Sequence, residues 1–188
     1  MADTERLTVG ERTLHVSNLD KVMYPEVGLR KRDVIAYYTT IAPVLLPHLA
    51  GRPITRKRWA NGVGTLAEPG TVFFAKNLEQ GAPDWLATVA VEHRDRVVHY
   101  PLADEPAALV WFAQLAALEL HVPQWRVHPD GQKARPDRLV LDLDPGEGVG
   151  LDECARVALA AKELLEGMNL APLPLTSGSK GIHLYAGL

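Results

Sequence analysis

Asp142 and Asp144 close the apolar run Leu139-Val140-Leu141-Asp142-Leu143-Asp144, and Pro145-Gly146 stops it immediately afterwards. Side chains on a strand alternate between faces, so the two carboxylates project the same way, roughly 7 Å apart along the backbone. Carboxylates that close repel each other unless a cation lies between them or one is protonated. A hard divalent ion, Mg²⁺ or Mn²⁺, with oxygen ligands and room for substrate phosphates, suits such a pair. The competing reading is a strand end with two solvated acids. Asp is depleted in strands, however, and two on one face beside an apolar run are costly without a purpose, so a metal site is the preferred expectation.

A second cluster is Ser177-Gly178-Ser179-Lys180-Gly181-Ile182-His183, which lies between two apolar strand patterns. Small residues let backbone amides approach an anion, Lys180 adds a point charge, and Ser177 and Ser179 offer hydroxyls. His183, at the start of the following strand, is placed to donate to a phosphate. A hairpin turn whose glycines only solve backbone geometry fits the same residues equally. The spacing is not that of a Walker loop, and a strand follows rather than a helix.

Arg52, Arg56, Lys57 and Arg58 form a dense basic group on a β pattern, with Arg56 and Arg58 on one face and Lys57 on the other. Trp59 and the pair Phe73-Phe74 add rings, and cations interleaved with aromatics suit nucleic acid. The plainer expectation is that Trp59 and one of the two adjacent Phe residues belong to the core. Lys21 and Arg30-Lys31-Arg32 flank the start of a helix, where cations oppose the dipole unless an anion visits. Solvated surface charge competes with that reading. His121, in His121-Val122-Pro123-Gln124-Trp125, fits a nucleotide contact and a structural histidine alike. Cys154 sits in a helical pattern and reads as a small buried hydrophobe.

The elements that must position these groups follow from periodicity and breakers. Leu7–Val9 and Thr13–Val16 flank Gly10-Glu11 as a hairpin. Apolar residues at Val34, Ile35, Tyr38, Ile41, Leu45 and Leu49 recur at three and four, predicting a helix over 31–49 that Pro43 and Pro47 kink or end early. Strands are expected at 53–59, 88–92 and 96–100, with a short element starting at Phe73. Asp104 is the expected N-cap of a helix reaching about Leu118, and 120–127 alternates as one strand interrupted by Pro123. The acid-bearing strand covers 138–144. A helix capped by Asp152 runs to Gly167, and strands at 173–176 and 182–185 follow. Mixed adjacent strands and helices predict an α+β (mixed α/β) fold rather than a regular parallel array.

The 188 residues fit a single domain over 1–188 and are 47% hydrophobic and 23% charged, a globular composition. The net charge of −3 argues against a generic nucleic-acid binder. Residues 1–60 nevertheless carry 10 Lys/Arg against 6 Asp/Glu, a balance of +4, while residues 61–188 carry 10 against 17, a balance of −7. A basic N-terminal lobe over 1–60 and a metal- and nucleotide-handling lobe over 61–188 suit a phosphate-gripping protein. One cysteine, no charged-then-apolar leader and no long apolar run point to a reducing cytosol and no membrane partner.

Together, five segments resemble the polymerase domain of bacterial ATP-dependent DNA ligase D, a member of the archaeo-eukaryotic primase superfamily that serves non-homologous end joining. They are Asn18–Pro25, Gly51–Trp59, His121–Trp125, Leu141–Gly148 and Thr176–Tyr185. The resemblance implies a primase-polymerase fold, with a central mixed or antiparallel sheet flanked by helices. It implies a nucleotidyltransferase that fills gaps or extends ends in double-strand break repair, preferring ribonucleotides. On the matched positions, Asp142 and Asp144 would bind catalytic Mn²⁺ or Mg²⁺. Ser177, Lys180 and His183 would hold the triphosphate, His121 would lie near the sugar and Lys57 near the nucleotide pocket. Lys21 and Lys31 would grip a DNA 5′-phosphate, and Phe73 and Phe74 would stack on template bases. Implied partners are DNA with 5′-phosphate ends or gaps, nucleoside triphosphates, Ku and the other ligase D modules, in the nucleoid.

The family also uses a third metal-binding Asp on a later strand, whereas this sequence closes on Ala186-Gly187-Leu188. The expectation is therefore a C-terminally shortened or fragmentary member, or a non-catalytic module that still binds 5′-phosphate ends or nucleotides. The strand at 182–185 is expected to be an open edge. A metal-dependent phosphatase of the haloacid-dehalogenase type, which also begins with strand-D-x-D, ranks last. That class carries its motif near the N-terminus with Thr or Val after it, not Pro145.

Overall fold

The structure, a computed structural model, describes residues 4–128 and 130–188. The chain divides into two compact units, one formed by residues up to Pro123 with Val127–Gln132, the other by Gln124–Arg126 with Lys133–Leu188. The expected α+β class is what the chain forms, with its antiparallel strands distributed over several small sheets. No helix among the described residues is long and apolar enough to cross a membrane.

The first unit opens with the hairpin β1 (Thr4–Val9) and β2 (Arg12–Ser17), turned by Gly10 in the left-handed conformation. A short ladder follows, β3 (Val22–Tyr24) with β4 (Leu29–Arg30), which periodicity did not reveal because neither strand is long enough to show a period of two. Helix α1 (Lys31–Leu49) then runs its full predicted length and buries Val34, Ile35, Tyr38, Ala42 and Leu49. Pro43 and Pro47 do not end it early. They lie four residues apart on the exposed face, so the hydrogen bonds they forfeit leave carbonyls facing solvent rather than the core.

Strand β5 (Thr55–Arg58) is the centre of a sheet ordered β6-β5-β9, with β6 (Phe73–Ala75) and β9 (Ala117–His121) on either side. β7 (Thr88–Glu92) and β8 (Val97–Pro101) form a separate hairpin. Helix α2 (Pro106–Gln114) is buried almost all round. Its N-cap is Glu105 rather than Asp104, and it stops short of Leu118. Ala116 adopts a left-handed φ of +57°, which breaks the helix and frees 117–121 to pair with β5. The core joins α1, α2, β2 and β3, with Phe112, Leu109, Ile54 and Met23 among its fully enclosed side chains.

The expected single strand over 120–127 is two, because β9 ends before Pro123 and pairing resumes at β10 (Trp125–Val127) with β11 (Lys133–Pro136). The second unit is built on β12 (Arg138–Leu143), helix α3 (Leu151–Gly167), β13 (Leu173–Thr176) and β14 (Ile182–Gly187). Gly150, not Asp152, caps α3, and its amide donates to Glu153 Oε2 at 3.0 Å. Cys154 is free and buried, as a small hydrophobe would be. The sheet order is β12-β14-β13. β14 is therefore central, which corrects the expectation of an open last strand. Both neighbours pair with it antiparallel, and the edges are β12 and β13.

Candidate functional site

In the second unit the sheet register decides the geometry. β12 and β14 pair so that Asp142 faces His183 and Leu143 faces Ile182. His183 Nε2 stands 3.1 Å from Asp142 Oδ1, and Asp142 remains largely exposed. Asp142 and Asp144 are both exposed, with half-buried Leu143 between them, as two acids on one face require. Asp144 lies one residue beyond the strand, against Gly181: an ideal Cβ on that glycine would sit 2.6 Å from Asp144 Oδ1. The acid pair is thus met twice, by His183 of β14 on Asp142 and by Gly181 of the β13–β14 turn on Asp144.

Ser177 organises that turn. Its amide donates to Gly181 O at 3.0 Å, and its Oγ accepts from Gly181 N at 3.0 Å and from Ser179 N at 3.3 Å. Two amides that a phosphate loop would turn to an anion are spent on Ser177 instead, as in a plain turn, which leaves exposed Lys180 and the side-chain hydroxyls among the candidate anion contacts. Among the described residues no group of three or more His, Cys, Asp or Glu is arranged to hold a metal ion. Asp142 and Asp144 nonetheless supply the hard oxygen donors that Mg²⁺ or Mn²⁺ prefers, in an exposed position where water and phosphate oxygens can complete the shell.

In the first unit β5 presents its side chains to both faces. Lys57 Nζ donates to Glu119 Oε1 at 2.8 Å and lies 4.9 Å from the Trp59 ring and 5.8 Å from that of Phe74. On the other face, Glu79 Oε1 receives both Arg56, at 2.9 Å, and Arg58, at 3.1 Å. Arg56 is fully enclosed and also donates to the carbonyls of Ile54, Lys76 and Asn77. Arg52 is buried as well and donates to Pro123 O. The dense basic group is therefore half structural.

Phe73 and Phe74 are 42% and 57% exposed, so neither is the expected core residue. β6 is an edge strand whose rings point to opposite faces. Each ring is matched by a cation from β5, Arg58 with Phe73 at 5.0 Å and Lys57 with Phe74. His121 Nε2 stands 2.9 Å from Glu119 Oε2, and its ring meets Phe74 edge-on at 5.6 Å. Lys57, His121 and Phe74 are thus brought together, around a Glu119 that sequence reasoning missed. Its signal was its place two residues before His121 on one strand face, hidden when 118 was assigned to a helix.

Lys21 and Lys31 are neighbours of different kinds. Lys21 Nζ donates to Ala60 O at 3.0 Å, and the residue is half-buried. Lys31 is only 5% exposed, and its Nζ donates to the carbonyls of Ser17 and Gln114, both at 3.1 Å. Burial, with Lys21 and Arg58 nearby, pushes its ammonium down to about 8. Asp20 gathers the flanking Arg30 and Arg32 at 2.8 and 2.7 Å. The Arg30 bond first, then Arg32, holds that carboxyl below its usual range.

The family model of the LigD primase-polymerase domain matches residues 30–188. The chain belongs to this family. The multifunctional non-homologous end joining DNA repair protein LigD of Mycobacterium tuberculosis H37Rv is 47% identical over 186 residues, which is 96% of this chain and 24% of that protein. The bifunctional non-homologous end joining protein LigD of Bacillus subtilis is 30% identical over 175 residues, 93% of this chain and 26% of that protein. The chain thus spans about a quarter of these LigD proteins. Among solved structures, the polymerase domain from Mycobacterium tuberculosis ligase D in complex with DNA superposes with a TM-score of 0.85 at 48% identity, covering 93% of this chain and 61% of that one. The primase-polymerase fold implied by the five sequence segments is therefore the family's fold.

Proposed function

We propose that this chain is a DNA-end-binding nucleotidyltransferase that fills gaps or extends broken ends, with a preference for ribonucleotides, in non-homologous end joining. The observation that carries the reading is the exposed pair Asp142 and Asp144, met by His183 and the Ser177–Gly181 turn in a chain of the LigD primase-polymerase family. The similarity to a polymerase domain described as bound to DNA supports DNA as the partner.

Asp142 and Asp144 hold Mn²⁺ or Mg²⁺, which when bound neutralises charge on the reacting phosphates. Ser177, Lys180 and His183 bind and orient the triphosphate, while Lys57 and His121 recognise the nucleotide. Phe73 and Phe74 offer exposed rings for template bases. Lys21, less buried than Lys31, presents its ammonium to a 5′-phosphate. Lys31, with two of its protons committed to carbonyls, adds the field of a buried charge and one remaining donor. Ku and the ligase D modules are the partners this reading suggests, in the bacterial cytoplasm at the nucleoid.

A second reading, a module that binds ends or nucleotides without turnover, is favoured by one observation: the acid pair is not joined by a third ligand among the described residues. Incubation with Mn²⁺, nucleoside triphosphates and a gapped duplex bearing a 5′-phosphate separates the two. Primer extension supports the first, and 5′-phosphate-dependent binding without extension supports the second. Hydrolysis of a generic phosphate ester with neither would sink both in favour of a phosphatase. Asp142→Ala is expected to abolish extension and spare end binding; loss of both would make the acid structural.

A further inference from the structure

Glu119 holds two nucleotide-binding candidates at once, Lys57 through Oε1 and His121 through Oε2. The β5–β9 register places it directly opposite Lys57 and sets His121 opposite Thr55, so Glu119 and His121 rise from the same face of β9. Phe74, paired with Lys57 from the other side, closes on the His121 ring.

The carboxylate determines which imidazole nitrogen carries the proton. Burial raises the affinity of Glu119 for a proton, but its bonds to Lys57 and His121 together outweigh burial and hold the carboxyl below its usual range. It is therefore an acceptor only, and the Nε2 beside it must be the donor. In the neutral ring this leaves Nδ1 as a bare acceptor, and no protein group among the described residues donates to it. A bare ring acceptor recognises a hydroxyl and gains nothing from a C–H in its place.

We propose that Glu119 is a positioning residue that fixes His121 as the Nε2–H tautomer, so that Nδ1 accepts a sugar hydroxyl and favours ribonucleotides over deoxyribonucleotides. This rests on the assignment of His121 and Lys57 to nucleotide recognition under the proposed function. A site that bonds a hydroxyl discriminates against the analogue lacking it, because its polar group is then left unpaired.

The test combines long-range ¹H–¹⁵N spectra of the full chain at pH 8, with the His121 signals assigned from His121→Asn, and calorimetric binding of ATP and dATP in the presence of Mn²⁺. Wild type should show the Nε2–H tautomer and bind ATP more tightly than dATP. Glu119→Leu should lose the tautomer bias. Its ATP-to-dATP ratio should fall about three- to tenfold, the worth of one neutral hydrogen bond, because the release of Lys57 from Glu119 alters both affinities alike and cancels in the ratio. Glu119→Gln, whose amide oxygen still accepts from Nε2–H, should keep the tautomer and most of the ratio. An Nδ1–H tautomer in wild type, or a Glu119→Leu protein that retains tautomer and ratio, overturns the proposal. Wild type that binds both nucleotides equally overturns it while leaving the nucleotide reading intact; wild type that binds neither overturns both.

Discussion

Gly181 and Asp144 are packed so closely that no side chain can stand between them. A Cβ at position 181 would meet Asp144 Oδ1 and the carbonyl of Leu143, each at 2.6 Å, and both are well inside van der Waals contact. The glycine is thus required by the approach of the β13–β14 turn to the acid pair, since its own φ is not left-handed. Gly178, three residues earlier, is the opposite case: its φ of +81° demands glycine, but open space surrounds it.

These two glycines make a matched pair of variants. Gly181→Ala is expected to cost about 1–3 kcal/mol by overpacking and to displace Asp144, weakening Mn²⁺ binding by at least about tenfold. Gly178→Ala should cost about 1–2 kcal/mol through backbone strain and leave Mn²⁺ affinity nearly unchanged. Urea unfolding and Mn²⁺ titration monitored by electron paramagnetic resonance read the two effects. Equal metal affinity in both variants would remove Asp144 from the metal site.

Lys31 should make end binding pH-dependent. Its folded value of about 8 lies below the ordinary 10.5, so the folded protein releases this proton before the unfolded chain does. Between those values the unfolded state binds more protons, and the Lys31 contribution to stability rises with pH through that window. Charge at the site runs the other way. The preference for a 5′-phosphate over a 5′-hydroxyl duplex should decline as pH passes about 8, and Lys31→Met should flatten the profile. Fluorescence anisotropy from pH 7 to 9.5 measures both, and a flat wild-type profile would count against a role for the buried ammonium.

Glu79 is expected to be the most sensitive carboxylate of the first unit. Its removal leaves Arg56 fully enclosed, with three carbonyls but no counter-charge. Glu79→Ala should therefore cost roughly 3–5 kcal/mol, the range for breaking a buried pair. Glu119→Ala, at an exposed pair, should cost about 1 kcal/mol or less. Chemical denaturation of the two variants side by side checks the contrast.

Local periodicity made much of this protein legible. The three-and-four spacing of Val34, Ile35, Tyr38, Ile41, Leu45 and Leu49 defined α1, because the face to be buried is written within a few turns. The D-x-D at the end of an apolar strand placed Asp142 and Asp144 on one face before any partner was known, since strand alternation is equally local. Short motifs then identified the family. Pairing was not legible, because register joins residues far apart in sequence. That His183 stands opposite Asp142, that Glu119 meets Lys57, and that Glu79 gathers Arg56 and Arg58 follow from which strands lie together. The same holds for Phe73 and Phe74, which stay exposed because β6 is an edge strand with a cation from β5 matched to each ring. The sequence by itself determined which residues are the candidates for metal, phosphate and base. Tertiary structure decided which charges are spent holding others in place, because burial and counter-charge depend on neighbours that no local pattern names.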